Sequence, residues 1–380
     1  MNGPARPRKI LYFATEDWVF CLHRLPLARA ARDAGHEVVV VTRVRDHAAP
    51  IAAAGLRLIP LELSRGGMRP WQELRTLLQL FRIYRSERPA LAHHVAVKPV
   101  LYGALVAALT GVPAVVNALT GLGFIFTSRS LLARLLRSPV ELAMRVLLNR
   151  RGSRVIFQNA DDLAALTAKR IVDPDNARLI RGSGVDIDAF TPSAEPPGVP
   201  VVVLPARLLW DKGIGEFVAA ARLLKARGLK ARFALVGDRD AENPAAVPQA
   251  VLDAWRAEGV VELWGWRNDM AGVYRESHIV CLPSYREGFP KVMLEAAACA
   301  RPLISTDVEG CREAVAHGRS GLLVPVRDTQ SLADALAQLI GNPAQRAAFG
   351  AAARATVVGE LSLTVVIERT LAVYREILPA

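Results

Sequence analysis

Short aliphatic runs, each followed by a stretch with helical spacing, recur along this chain, stop at a proline-rich break, and then start again. Before the break, strands are predicted at 9–14, 37–42, 55–60, 90–94, 114–117, 154–158 and 177–180. Helices are predicted at 22–34, 71–85 and 100–109, the first ending at Gly35. Val38 to Val41 is continuously apolar, the mark of a parallel strand buried on both faces. Pro192, Pro196, Pro197, Gly198 and Pro200 crowd one short stretch. Strands then resume at 201–205, 232–236, 261–263, 279–282, 302–305 and 321–324. Helices are predicted at 213–227, 329–340, 343–357 and 363–378. Alternation of this kind builds parallel sheets with helices on both faces. The expected organisation is therefore an N-terminal α/β domain over 1–190, a linker at 191–200, a second α/β domain over 201–360 and a last helical segment at 361–380. Two such units imply a cleft between them, the usual place for a ligand.

Charge narrows the partners. The formal net charge is +12, which suits an anionic membrane, nucleic acid or a phosphorylated substrate. Residues 129–154 hold seven arginines against the single acid Glu141, interleaved with Leu131, Leu132, Leu135, Leu136, Leu142, Val146 and Leu147. A basic, leucine-rich surface of this kind fits an anionic leaflet. The bland alternative is a pair of solvated helices, with Pro139 separating them and arginine stems lying over the core. Nucleic acid would call for aromatic stacking positions along the basic stripe, and none interrupt it. Residues 99–128 lack any charged side chain. Gly111, Pro113, Gly121 and Gly123 break that stretch into helix, strand and loop rather than a membrane span. Glu16 and Asp17 follow the first apolar run at once, and Cys21, Cys281, Cys299 and Cys311 are scattered. The expected location is cytoplasmic, with reduced cysteines and peripheral attachment to the inner face of the plasma membrane.

Candidate ligand-binding residues sit after strands, where open α/β sheets bind ligands. Arg207 and Lys212 follow the first strand of the second half and precede a helix. Two cations there suit a diphosphate and the charge that develops on it as it departs. Residues 284–295 read Ser-Tyr-Arg-Glu-Gly-Phe-Pro-Lys-Val-Met-Leu-Glu. Glu287 and Glu295 are positioned there to hold ligand hydroxyls, and Glu295 lies in apolar surroundings that demand a partner. In the first half, Asn117-Ala-Leu-Thr120-Gly121-Leu-Gly123 follows a buried strand and suits close backbone approach to a ligand. His93 and His94 end the preceding strand, and Lys98 is nearby. Asp17, Trp18, His23 and Arg24 form a polar cluster after the first. No histidine and carboxylate group has metal-site spacing, and the dinucleotide glycine fingerprint is missing, which argues against a dehydrogenase.

These segments resemble glycosyltransferase family four, a family of retaining enzymes. The resemblance is carried by Arg207-Leu-Leu-Trp-Asp-Lys212-Gly, Ser284-Tyr-Arg-Glu-Gly-Phe-Pro, Glu295-Ala-Ala-Ala, Thr306-Asp-Val-Glu-Gly-Cys-Arg-Glu313 and Gly318-Arg-Ser-Gly-Leu-Leu-Val-Pro325. The seven residues between Glu287 and Glu295 match the family's spacing. The resemblance implies the GT-B fold: two Rossmann-like α/β domains whose parallel sheets face a central cleft, with the last helix returning to the first domain. It implies Glu287, Arg207 and Lys212 as catalytic residues. It implies a donor site of Glu295 at the ribose, Phe289, Pro290 and Lys291 at sugar and phosphate, and Trp266, Arg267 and Gly237 nearby. Asp17-Trp18, His23-Arg24-Leu-Pro, Lys98-Pro99, Asn117 to Gly123 and Asn243-Pro244 resemble a narrower branch that assembles polyprenyl-linked glycans. In that branch Asp17, His23, Arg24, His94, Lys98, Asn117, Thr120 and Gly121 would meet the acceptor. Thr120-Gly121 stands where many relatives carry His-Gly.

The implied reaction moves a hexose or N-acetylhexosamine from a UDP-sugar to a sugar on a polyprenyl diphosphate. It retains the anomeric configuration and uses no bound metal or other cofactor. The expected partners are the UDP-sugar, the lipid-linked acceptor and an anionic membrane surface through residues 129–154, with no nucleic acid. The alternatives are transfer to a soluble acceptor, a GT-B sugar-nucleotide epimerase, and a non-enzymatic basic binding protein.

Overall fold

The computed structural model describes residues 8–63, 70–121, 131–241 and 243–378, and their side chains except those of 131–134. Within these residues the chain divides into two compact units, residues 1–183 with 366–380, and residues 184–365.

The first unit is built on a parallel sheet ordered β3-β2-β1-β4-β5-β6-β7. Its strands are β1 Lys9–Glu16, β2 Glu37–Arg43, β3 Arg57–Pro60, β4 Leu91–Val95, β5 Ala114–Leu119, β6 Ser153–Phe157 and β7 Ala177–Leu179. Successive side chains of a strand point to opposite faces, and β1 shows the consequence. Ile10, Tyr12 and Ala14 pack with Val366, Val373 and Tyr374 of the last helix, Leu363–Ile377. Leu11 and Phe13 pack with Leu80, Tyr84 and Val106 from helices Pro70–Glu87 and Val97–Thr110. With both faces covered, Val38 to Val41 are buried throughout. Burying one leucine or valine in such a core is worth about 1.5–3 kcal/mol.

The second unit repeats the plan. Its parallel sheet runs β10-β9-β8-β11-β12-β13. The strands are β8 Val201–Pro205, β9 Arg232–Val236, β10 Glu262–Gly265, β11 Ile279–Leu282, β12 Leu303–Thr306 and β13 Gly321–Val324. In each sheet the strand order reverses beside the unit's first strand, between β1 and β4 and between β8 and β11. At such a reversal the connections leave in opposite directions and a crevice opens beyond the carboxyl ends of the strands.

Three expectations from the sequence change. The chain passes between units at 183/184 and 365/366, outside the proline-rich stretch. That stretch is bound into the second unit. The Arg301 guanidinium donates to Ser193 O and Ala194 O, and Arg346 Nε donates to Glu195 Oε1 at 2.8 Å. Prolines marked irregular backbone, and buried arginines supplied donors to fasten it. Next, Pro139 does not split its segment: Leu131–Leu148 is one helix. Leu135, whose carbonyl loses its partner at Pro139, is 67% exposed, and a lost bond on a solvent-facing side costs less than one inside. Finally, the first helix is two, Asp17–His23 and Leu25–Asp33, separated at Arg24 with φ −130° and ψ −17°.

Candidate functional site

The candidates of the second unit follow four adjacent strands. Trp266 and Arg267 follow β10, Gly237 follows β9, Arg207 and Lys212 follow β8, and Ser284 to Lys291 follow β11. Tertiary structure thus collects residues far apart in sequence along one carboxyl edge, at the strand-order reversal.

Lys212 closes the turn Trp210–Lys212 ahead of helix Ile214–Ala226. Its Nζ donates to Glu287 Oε1 at 2.5 Å, and the two side chains are only 18% and 13% exposed. The loops that carry them are joined through backbone. Tyr285 N–H donates to Asp211 O at 2.8 Å, and Ser284 Oγ donates to the same oxygen at 3.1 Å. Gly310 N–H donates to Glu287 O at 3.1 Å. Gly213 permits the close approach. It has φ +72°, and a Cβ there would lie 2.0 Å from Pro283 O. Gly237 does the same between β9 and β8, with φ +136° and a virtual Cβ 2.1 Å from Ala206 O. Arg207 takes a different partner, Asp240, with Nη1 donating to Oδ2 at 2.8 Å.

Pro290 precedes helix Lys291–Ala298, whose N-terminus has no side-chain cap. The N-terminal end of a helix carries a partial positive charge and suits an anion. Glu295 lies one turn further on and is 7% exposed. Tyr274 supplies the partner its apolar setting demands, the hydroxyl donating to Oε2 at 3.0 Å. Burial pushes the Glu295 carboxyl up from its usual range, opposed by the charge of Lys291 and by the Tyr274 hydrogen bond. Burial in turn lowers Lys291, opposed by Glu295. Nothing in the sequence marked Tyr274 as this partner, because it lies 21 residues upstream in another helix. Asp240 was likewise missed. Phe289 packs partly on the core. Trp266 is 65% exposed, with its indole N–H held by Asn268 Oδ1 at 2.9 Å, and Arg267 Nη2 meets Glu276 Oε1 at 3.3 Å.

In the first unit several candidates have partners within the fold. Asp17 is fully buried, and its carboxylate accepts backbone N–H bonds from Trp18, Arg45 and His47 at 2.7–2.8 Å. Burial alone raises its pKa, and those backbone donors overcome it to leave the group below its usual value. It anchors the loop after β2. His94 and Asn117 are also fully buried. His94 Nδ1 donates to Asn117 Oδ1 at 2.7 Å, and its Nε2 accepts from Tyr84 Oη at 2.9 Å. Burial lowers the imidazole pKa to about 4, partly offset by the Asn117 bond. These two residues tie β4 to β5 inside the core. Lys98 Nζ meets Glu73 Oε1 at 2.8 Å. Thr120 and Gly121 follow β5, and 122–123 lie outside the described residues. His23 is half-buried, with Nδ1 3.0 Å from Ser183 Oγ, and Arg24 is buried.

Both halves of the chain resemble known proteins. Residues 9–159 match the model described as glycosyl transferase 4-like, and residues 199–342 match the one described as glycosyl transferases group 1. The chain is 28% identical over 330 residues to N,N'-diacetylbacillosaminyl-diphospho-undecaprenol alpha-1,3-N-acetylgalactosaminyltransferase of Campylobacter jejuni, spanning 83% of this chain and 85% of that one. It is 25% identical to UDP-Gal:alpha-D-GlcNAc-diphosphoundecaprenol alpha-1,3-galactosyltransferase of Escherichia coli, over 70% of each chain. Among solved structures, Anabaena Alr3699/HepE in complex with UDP superposes with a TM-score of 0.77 at 18% identity, covering 97% of this chain and 100% of that one. With two parallel Rossmann-like sheets and a family match in each half, the chain belongs to glycosyltransferase family four and has the GT-B fold.

Proposed function

We propose that this glycosyltransferase moves a hexose or N-acetylhexosamine from a UDP-sugar to a sugar carried on a polyprenyl diphosphate, with retention and without a bound metal. The reading is carried by the Lys212–Glu287 pair at the strand-order reversal, with buried Glu295 one helical turn beyond Lys291. Lys212 and Arg207 receive the donor diphosphate and stabilise its growing charge. Glu287 is drawn from Lys212 to a sugar hydroxyl. Glu295 accepts from the ribose, and Trp266, Arg267 and Gly237 line the approach of the base. The bond from the anomeric carbon to the phosphate oxygen breaks, and the acceptor hydroxyl bonds to that carbon on the same face. Its proton passes to the departing phosphate oxygen. The protein's part is orientation and electrostatic stabilisation.

A lipid-borne acceptor accounts for the helix Leu131–Leu148. Leu135, Leu142 and Val146 fall on one side of it and are 67%, 61% and 63% exposed. An apolar stripe on a basic helix suits the surface of an anionic leaflet. No described helix is long and apolar enough to cross a membrane, so the proposed attachment is peripheral. Arg145 has another task, donating to Arg170 O and Lys169 O, both at 3.1 Å. Serine at 135, 142 and 146 should therefore lower co-sedimentation with phosphatidylglycerol vesicles several-fold at unchanged thermal stability. Undiminished sedimentation would remove the leaflet-facing role.

The activity is tested with a panel of UDP-sugars and defined polyprenyl-diphosphate acceptors. UDP release that depends on the acceptor, with an α-linked product from an α-linked donor, is expected. Acceptor-independent UDP release or an inverted linkage would overturn the reading. Glu295→Gln should weaken UDP-sugar binding about tenfold, as for a lost hydrogen bond to a charged group. Unchanged donor affinity would take Glu295 out of the ribose site.

A further inference from the structure

Among the described residues three arginines are at most 5% exposed, and the molecule treats them differently. Arg301 donates to Tyr274 O, Ser193 O, Ser193 Oγ and Ala194 O at 2.7–3.2 Å. Arg346 donates to both oxygens of Glu195 and to Leu339 O and Ile340 O, at 2.7–2.9 Å. Arg24, at 5% exposure, has one long bond, from Nη1 to His23 O at 3.3 Å. Its Nε is enclosed without an acceptor. An unmatched buried cation is costly unless an anion arrives.

The neighbours supply no negative charge. His93 stacks on Tyr12 with centroids 5.2 Å apart. The Tyr374 hydroxyl lies 2.5 Å from His93 Nδ1 and 2.9 Å from Tyr12 Oη. His93 Nε2 is enclosed and also lacks a partner. Burial raises both phenols, with Arg24 pulling the other way, and burial together with the Arg24 charge lowers His93. All three are therefore neutral at pH 7. Arg24 is also the N-cap residue of helix Leu25–Asp33, which has no side-chain cap and carries Pro26 in its first turn. That end of a helix is already positive, so a cation there adds to the demand for an anion.

We infer that Arg24 receives a phosphate oxygen of the acceptor's diphosphate, with Tyr12, Tyr374 and His93 fixing the wall of its site. The inference rests on the lipid-diphosphate acceptor proposed above. The donor diphosphate already has Lys212 and Arg207 in the second unit, whereas Arg24 belongs to the first. A guanidinium offers a planar fork matched to phosphate oxygens, so the free protein holds an uncompensated charge that the acceptor neutralises.

The test pairs Arg24→Met with Arg24→Lys, each in the full chain. Melting is followed while inorganic pyrophosphate is titrated with UDP saturating, so that the donor diphosphate site is filled. Turnover is compared on one sugar borne by a polyprenyl diphosphate and by a neutral alkyl chain. Arg24→Met should raise the Tm of the free protein by about 2–4 °C, because an unmatched buried charge is gone. It should abolish stabilisation by pyrophosphate and lower kcat/KM for the diphosphate acceptor about 10–100-fold, leaving the neutral acceptor unchanged. Arg24→Lys should fold and keep part of the pyrophosphate response. A pyrophosphate response that persists in Arg24→Met would make Arg24 a structural residue. Equal losses on both acceptors would overturn the phosphate assignment. If the wild-type chain uses neither acceptor, the lipid-acceptor reading falls, and the pyrophosphate titration still decides whether Arg24 holds phosphate.

Discussion

Lys212→Ala should lower turnover by about 10²–10³-fold, the usual cost of removing one preorganised donor from developing charge. The loss should fall on kcat more than on the KM for the UDP-sugar, since the leaving diphosphate carries more charge in the transition state than in the bound donor. A structural explanation must be kept apart, because Lys212 is paired at 2.5 Å with Glu287 and neither side chain is more than 18% exposed. Removing one partner strands the other in a poorly solvated place. The double variant Lys212→Met with Glu287→Gln separates the effects: it should recover the melting temperature lost in Lys212→Ala and stay inactive. Turnover returning with stability would show Lys212 to be a loop brace, with the leaving group stabilised elsewhere.

Gly213→Ala should be among the most damaging one-methyl changes at the site. The residue holds φ +72°, and an added Cβ would fall 2.0 Å from Pro283 O. The left-handed conformation costs about 1–2 kcal/mol for a residue with a Cβ. Relieving the clash means parting the β8 and β11 loops, so the total should reach about 3 kcal/mol or more. Because those loops carry Lys212 and Glu287, activity should fall with the denaturation midpoint. Gly228→Ala is the control. Its φ is +75°, but open space surrounds its virtual Cβ, so it should lose only the backbone term. Equal losses in the two variants would show that loop approach is not what Gly213 secures.

The candidate site was legible in parts. Glu287 and Glu295 were visible because both lie on one continuous stretch around a turn and the helix it opens, so local spacing sets their relation. Arg207 and Lys212 were visible as cations after a strand. Their common edge depends on β8 lying beside both β9 and β11, a pairing between segments distant in sequence. The burial of His94 and Asn117 was hidden for the same reason. A polar residue near the end of a strand looks like a ligand group until the layer above it is known. Here Gly103 leaves the space for the ring, since a Cβ there would lie 2.4 Å from His94 Cδ2. Asp17 ends up bound to backbone N–H groups nearly thirty residues downstream, which no local motif announces. Pro139 was read by its intrinsic effect, and solvent on that side of the helix removed most of the cost.

By itself the sequence determined two α/β units, the strands of each, and the acid and base types available after them. Hydrophobic periodicity and glycine and proline placement act over a few residues, so they survive without a three-dimensional context. Only the tertiary structure decided which of those side chains share an edge, which are consumed inside the core, and which buried charge lacks a partner. Those outcomes depend on strand order and on the layers packed above each strand. Arg24 shows the difference: its residue type was plain in the chain, whereas its unmet charge arises from the neutral aromatic and histidine side chains folded around it.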